Sequence, residues 1–138
     1  MLLFMASLLK KAEFNDDVKV VLVYGAGGNF SSGNDIMSMM GVDNPNANFI
    51  ANKFMQFMRF PKPIVFMVTG CCLGVAATLS ASADFVYCSE NAFFQTPFMT
   101  LNLAPEGTST LKLPELVGRR KAYEMIFLEE KLSAKDAF

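Results

Sequence analysis

The chain has 138 residues, 52% of them hydrophobic and 18% charged, with a formal net charge of −1. That length fits one domain burying roughly two-thirds of its unfolded surface. Histidine is absent, and twelve Lys+Arg stand against thirteen Asp+Glu, which excludes Ser-His-Asp and Cys-His nucleophiles, histidine-ligated zinc and any imidazole base, and leaves no basic surplus for nucleic acid.

Residues 2–14 place Leu2, Met5, Leu9 and Ala12 at helical spacing, with Lys10 and Lys11 after the apolar stretch. This order marks an amphipathic helix and not a targeting segment. Asn15-Asp16-Asp17 breaks the pattern. Residues 18–24 are β-branched and almost uniformly apolar, as expected of a strand covered on both faces. They run into Gly25-Ala26-Gly27-Gly28. A helix is expected to start within 31–40, followed by a Gly/Asn/Pro loop. Residues 46–60 form the next helix, with Phe49, Ile50, Phe54, Phe57 and Met58 on one side and Pro61 and Pro63 as its stop. Residues 63–69 are a second buried strand closed by Gly70, 73–83 a small-residue helix, 84–89 a third strand and 93–96 a short fourth. Helices follow at 109–117 and 119–129, and Ser133 with Asp136 has the spacing of an N-cap and its N3 acid.

This order of helix and strand argues for an α/β domain with parallel strands joined by crossovers. The longest apolar stretch, 64–77, is interrupted by Thr69, Gly70 and Gly74 and is shorter than the ~20 residues of a spanning helix. No membrane span is expected. Cys71, Cys72 and Cys88 lack C-x-x-C spacing and read as free thiols of a reducing compartment; no metal site is expected. Fourteen Phe and ten Met imply faces covered by a subunit interface or by further parts of a core.

Three places offer chemistry. Gly25-Ala26-Gly27-Gly28 lacks the G-x-G-x-x-G spacing of a dinucleotide loop. The turn around Ser31-Ser32-Gly33-Asn34-Asp35 either presents free N–H groups to an anion or oxyanion, or is a plain Gly-rich turn. Gly70-Cys71-Cys72-Leu73-Gly74 leaves the same choice, between backbone approach to a ligand and tight helix–strand packing. Among the carboxylates, Glu115, Glu124, Glu129 and Glu130 fall in predicted helices and read as solvated faces, Asp84 begins a strand and Glu90 lies in a turn. Glu106, in Ala104-Pro105-Glu106-Gly107 between apolar flanks, has the setting of a desolvated carboxylate with a raised pKa, as a general base requires. A capping or turn role is the alternative.

In register, residues 18–36, 61–74 and 83–97 resemble the crotonase superfamily, the enoyl-CoA hydratase/isomerase family. They match its first strand and oxyanion loop, its second strand and oxyanion loop, and the segment after the central helix. The resemblance implies an α/β fold, a crotonase-like spiral of β-β-α units with parallel strands. It also implies that residues 1–138 are a partial, incomplete domain, lacking the N-terminal strand and the C-terminal trimerisation helices. The two hydratase glutamates fall on Thr78 and Phe98, which cannot act as bases. Residues 101–110 instead resemble the peroxisomal-type Δ3,Δ2-enoyl-CoA isomerase branch, whose catalytic glutamate falls on Glu106.

The implied reaction converts 3-enoyl-CoA to 2-enoyl-CoA in the oxidation of unsaturated fatty acids. Glu106 moves the proton, and the backbone N–H groups of Asn34 and Val75 hold the oxyanion. Ser32, Gly33, Asn34, Asp35, Ile36 and Gly74 border the substrate, and Phe94, Phe98 and Met99 either shape the acyl pocket or belong to the core. No cofactor is implied beyond the coenzyme A of the substrate. The partner is acyl-CoA, the full-length form a homotrimer or higher, and the compartment peroxisomal, with mitochondrial as the alternative. No targeting signal is visible, the sequence closing on Asp136-Ala137-Phe138. Two rival readings stay open: a non-catalytic acyl-CoA-binding or oligomer-modulating fragment, and an acyl-CoA thioester hydrolase.

Overall fold

The computed structural model describes residues 2–35 and 47–137. The chain opens on helix α1 (Leu2–Glu13), which buries Ala6 and Leu9 on its inner side. Its C-terminal end is fastened by a lysine from elsewhere in the sequence. Lys62 Nζ donates to the Ala12 and Asn15 carbonyls, at 2.6 and 2.7 Å, the complement a helix C-terminus calls for.

Three parallel strands make the first sheet: β1 (Val21–Tyr24), β2 (Ile64–Val68) and β4 (Phe85–Cys88), in the order β1-β2-β4. Helix α2 (Ala47–Met58) separates β1 from β2 in sequence. Strand β3 (Cys71–Leu73) and helix α3 (Val75–Ser80) separate β2 from β4. Parallel neighbours require such crossovers. The central strand alternates, turning Ile64, Phe66 and Val68 inward. Phe66 stacks against Phe57 of α2 edge-on, at 5.7 Å between ring centroids, and against Phe30 at 5.2 Å. Asp84 ties β2 to the start of β4: its Oδ2 accepts from the Ile64 N–H at 2.8 Å, while its own N–H donates to the Ile64 carbonyl.

The second sheet is smaller and mixed. Strand β3 pairs in parallel with β5 (Phe93–Gln95), and β5 pairs antiparallel with β6 (Leu132–Ser133). Helices α4 (Ser109–Val117) and α5 (Arg119–Phe127) close the core with Leu113, Ala122, Met125 and Ile126. A last turn, α6 (Ala134–Ala137), starts at Ser133, whose Oγ accepts from the Asp136 N–H and donates to Asp136 Oδ2. The predicted cap is therefore present.

The α/β class and the parallel crossovers stand, with four corrections. The strand expected at 18–24 is covered on one face only. Leu22 and Tyr24 of β1 share the outer face with Val65 and Met67 of β2 and Phe85 and Tyr87 of β4, and Tyr24 and Tyr87 are 67% and 63% exposed. Uniformly apolar strands predict two covered faces, but Leu22, Met67 and Phe85 of this one are exposed as well. Residues 71–73, expected as loop and as the start of a helix over 73–83, form a strand, and that helix runs from Val75 to Ser80; β6 runs antiparallel to its neighbour, and both strands are too short to show a periodicity. Glu129 and Glu130 lie beyond the end of α5 and not within a solvated helical face. The helix expected to start within 31–40 has only its first residues described, and none of 31–35 is helical; the remainder lies outside the described residues. The thiols are free as expected, with Cys72 buried and Cys71 and Cys88 half-buried.

Candidate active site

Two glycine-bearing loops meet because the backbone between them is paired. Ser31 bridges Cys72 in parallel fashion. The Phe30 and Ser31 N–H groups both donate to the Cys71 carbonyl, at 3.1 and 3.0 Å, and the Leu73 N–H donates to the Ser31 carbonyl at 2.9 Å. The strand that sequence patterning had missed is thus what holds the first loop. Asn29 adds a side-chain link, its Oδ1 accepting from the Cys71 N–H at 3.0 Å.

Gly33 is required where the loops touch. Its φ is +92°, and a Cβ there would lie 2.9 Å from the Leu73 carbonyl oxygen. Only glycine accommodates both that backbone and that approach. Gly74, at φ 55°, turns the chain out of β3 into α3. Val75 is the first residue of α3, so its N–H precedes the ladder of helical hydrogen bonds and points out of the helix end.

These loops form one side of a cavity of about 200 Å³. Ser32, Gly33, Asn34, Gly74 and Val75, all expected at the site, line it; so does Leu73. Opposite them stand Phe98 and Glu106, with Pro97, Leu101 and Leu103. Glu106 is the one ionisable group among the described lining residues. Its pKa is raised above the ordinary 4.5 by burial, since an apolar surround penalises the charged form.

The loop that carries Glu106 is itself shaped by close packing. Gly107 and Thr108 both take left-handed φ, at 61° and 60°. A Cβ on Gly107 would lie 2.6 Å from Phe54 Cε1 and 2.7 Å from Thr78 Oγ1. Thr78 is fully buried beneath this loop, and its hydroxyl donates back to the Val75 carbonyl at 3.1 Å. A longer acidic side chain at position 78 would have to displace Gly107.

Not every expected residue joins the site. Asp35 is exposed and does not line the cavity, and Ile36 lies outside the described residues. Phe94 faces a different cavity, behind α3, and belongs to the core. Met99 is on the surface. Leu101 and Leu103 were missed as lining residues. Their alternation around Asn102, next to the Glu106 loop, was the available signal.

This architecture recurs among known proteins. The family profile for enoyl-CoA hydratase/isomerase matches residues 2–138. The chain belongs to that family. It is 36% identical over 137 residues to enoyl-CoA delta isomerase 2 of Rattus norvegicus, covering 94% of this chain and 35% of the rat protein. Enoyl-CoA delta isomerase 3, peroxisomal, of Mus musculus is likewise 36% identical over 137 residues, covering 94% of this chain and 43% of the mouse protein. A solved enoyl-CoA hydratase/isomerase from Pseudoalteromonas atlantica T6c superposes with a TM-score of 0.87 at 29% identity, covering 97% of this chain and 53% of that one. The chain spans between about a third and about two-fifths of these curated relatives. The crotonase-like fold expected from the sequence is therefore shown, and the family acts on acyl-CoA substrates. Among the described residues no helix is long and apolar enough to cross a membrane.

Proposed function

We propose that this chain isomerises 3-enoyl-CoA to 2-enoyl-CoA, with Glu106 as the single proton-transferring group. The observation that carries the reading is the cavity itself. One desolvated carboxylate shares the cavity with Asn34 and with Val75, the first residue of α3, whose N–H precedes the helical ladder. A thioester carbonyl held by the Asn34 and Val75 amides acidifies C2. The Glu106 carboxylate takes a C2 proton, and the electron pair delocalises into a dienolate whose oxygen the amides stabilise. The same carboxyl then returns the proton at C4, which moves the double bond into conjugation. Nothing is gained or lost from the substrate, so no cofactor is called for beyond its own coenzyme A.

Hydration needs a second acid–base group to handle water. The two positions that would supply it hold Thr78, under Gly107, and Phe98, whose ring faces the cavity. The likeness to two delta isomerases supports the same branch. The mouse relative's peroxisomal designation supports a peroxisomal compartment, and the exposed outer face of the first sheet supports a homotrimer or higher in the full-length form.

The test is to incubate the purified chain with 3-hexenoyl-CoA and follow conjugated 2-enoyl-CoA by absorbance. Glu106→Gln is expected to lower the rate by roughly 10²–10⁴-fold. Isomerisation that survives this substitution rules the assignment out. Binding without turnover would identify a non-catalytic acyl-CoA-binding fragment, and release of free coenzyme A a thioester hydrolase.

A further inference from the structure

The cavity wall opposite the two loops is a turn, residues 97–103, and an acid from a distant part of the chain holds it. Within the turn, the Leu101 and Leu103 N–H groups donate to the Pro97 and Phe98 carbonyls, and Asn102 takes a left-handed φ of 52°. Its outer edge is fastened to the segment that follows α5. Thr100 donates its N–H to Glu129 Oε1 at 2.6 Å and its hydroxyl to Glu129 Oε2. The Glu129 carbonyl accepts from Gln95 Nε2 at 2.8 Å, and one turn earlier the Met125 carbonyl accepts from the buried Thr96 hydroxyl at 3.0 Å.

Glu129 occupies a position where an ordinary side chain is disfavoured. Its φ is +57°, in the left-handed region just past the helix, where glycine is the usual residue. A strained non-glycine residue whose two carboxylate oxygens both serve one distant residue points to a role for the side chain. The hydrogen bonds from the Thr100 hydroxyl and amide, with that of Met99, hold the carboxyl below its ordinary pKa, so it is ionised at neutral pH and accepts at full strength. Water competes for an exposed carboxylate, so the effect falls on the mobility of the turn more than on global stability.

We propose that Glu129 is a positioning residue for acyl-chain selectivity: its carboxylate pins residues 97–103 and thereby sets the distance of the Leu101 and Leu103 rim from Glu106. The inference deepens the acyl-CoA reading of this cavity and rests on it, but it does not require turnover. Its test compares wild type, Glu129→Gly and Thr100→Val. Glycine suits the backbone, so Glu129→Gly removes the clamp without disturbing the helix end; Thr100→Val removes one hydrogen bond and leaves α5 untouched.

Two readouts are taken on the full chain. Amide exchange of the segment 97–104 is expected to accelerate about tenfold in Glu129→Gly, and less in Thr100→Val. The ratio of dissociation constants for hexanoyl-CoA and dodecanoyl-CoA, measured by calorimetry, is expected to move toward one in the same order. A wild-type chain that binds both ligands equally, or neither, overturns the proposal, as do variants that keep the wild-type ratio. Should the ratio shift while 3-hexenoyl-CoA is not isomerised, the isomerase reading fails and the selectivity assignment stands.

Discussion

Glu106 has opposed consequences for stability and for chemistry. Its folded pKa lies above its unfolded value because burial disfavours the carboxylate. Below the ordinary pKa of 4.5 both states hold the proton and the residue is neutral for stability. As pH rises through the raised folded value, the unfolded state ionises more readily and the fold is weakened. Glu106→Gln is therefore expected to stabilise the chain at pH 7 and to leave it unchanged near pH 4, by thermal unfolding at the two pH values. Under the proposed mechanism isomerisation needs the ionised form, so the rate on 3-hexenoyl-CoA is expected to rise across the same interval. Cys72 is an inert counterpart: burial pushes its pKa up to about 12, so it has neither the exposure nor the ionisation of a reactive thiol.

The site is built by short elements joined edge to edge. Strand β3 has three residues, yet it carries the pairing that brings residues 30–33 beside the start of α3. Gly33 combines a positive φ with a neighbouring carbonyl too close for a side chain. Gly33→Ala is expected to destabilise the fold by about 1–3 kcal/mol and to reduce isomerisation by a larger factor than the stability loss explains, because it parts the two loops. Urea unfolding together with the rate on 3-hexenoyl-CoA checks both. Gly74→Ala is the comparison, since nothing lies within 4 Å of its Cβ position and only the backbone strain remains. Glycines were visible in the sequence at both places. What was not visible was that Gly33 faces Leu73, a contact across forty residues.

For the whole molecule, the outer face of the first sheet dominates. Tyr24, Met67, Phe85 and Tyr87 share it and are all exposed, an apolar face of the kind that marks an interaction surface. Part of the apolar excess in the composition lies there, and part on exposed residues of the helices and loops such as Phe4, Leu116 and Leu128. Tyr87→Lys is expected to leave the thermal midpoint within about 2 °C while lowering self-association in sedimentation and the binding of a hydrophobic dye. A loss of stability instead would mean that the face is already covered within the single chain.

The α/β class, the helix and strand positions near 47–58, 64–68, 109–117 and 119–127, the Ser133 cap and the candidacy of Glu106 were all legible from local pattern, because periodicity, proline stops and capping chemistry act over a few residues. The resemblance in three separate segments supplied the pairing of the two loops with Glu106. Tertiary structure alone decided the rest. It showed which strand face is bare, that Cys71–Leu73 is a strand, that Phe94 turns away from the site, and that Glu129 reaches Thr100. Each of these depends on contacts between residues far apart in sequence, and a left-handed glutamate or a three-residue strand leaves no periodic trace. Composition could say that apolar surface was in excess; only the packing could say where it lay.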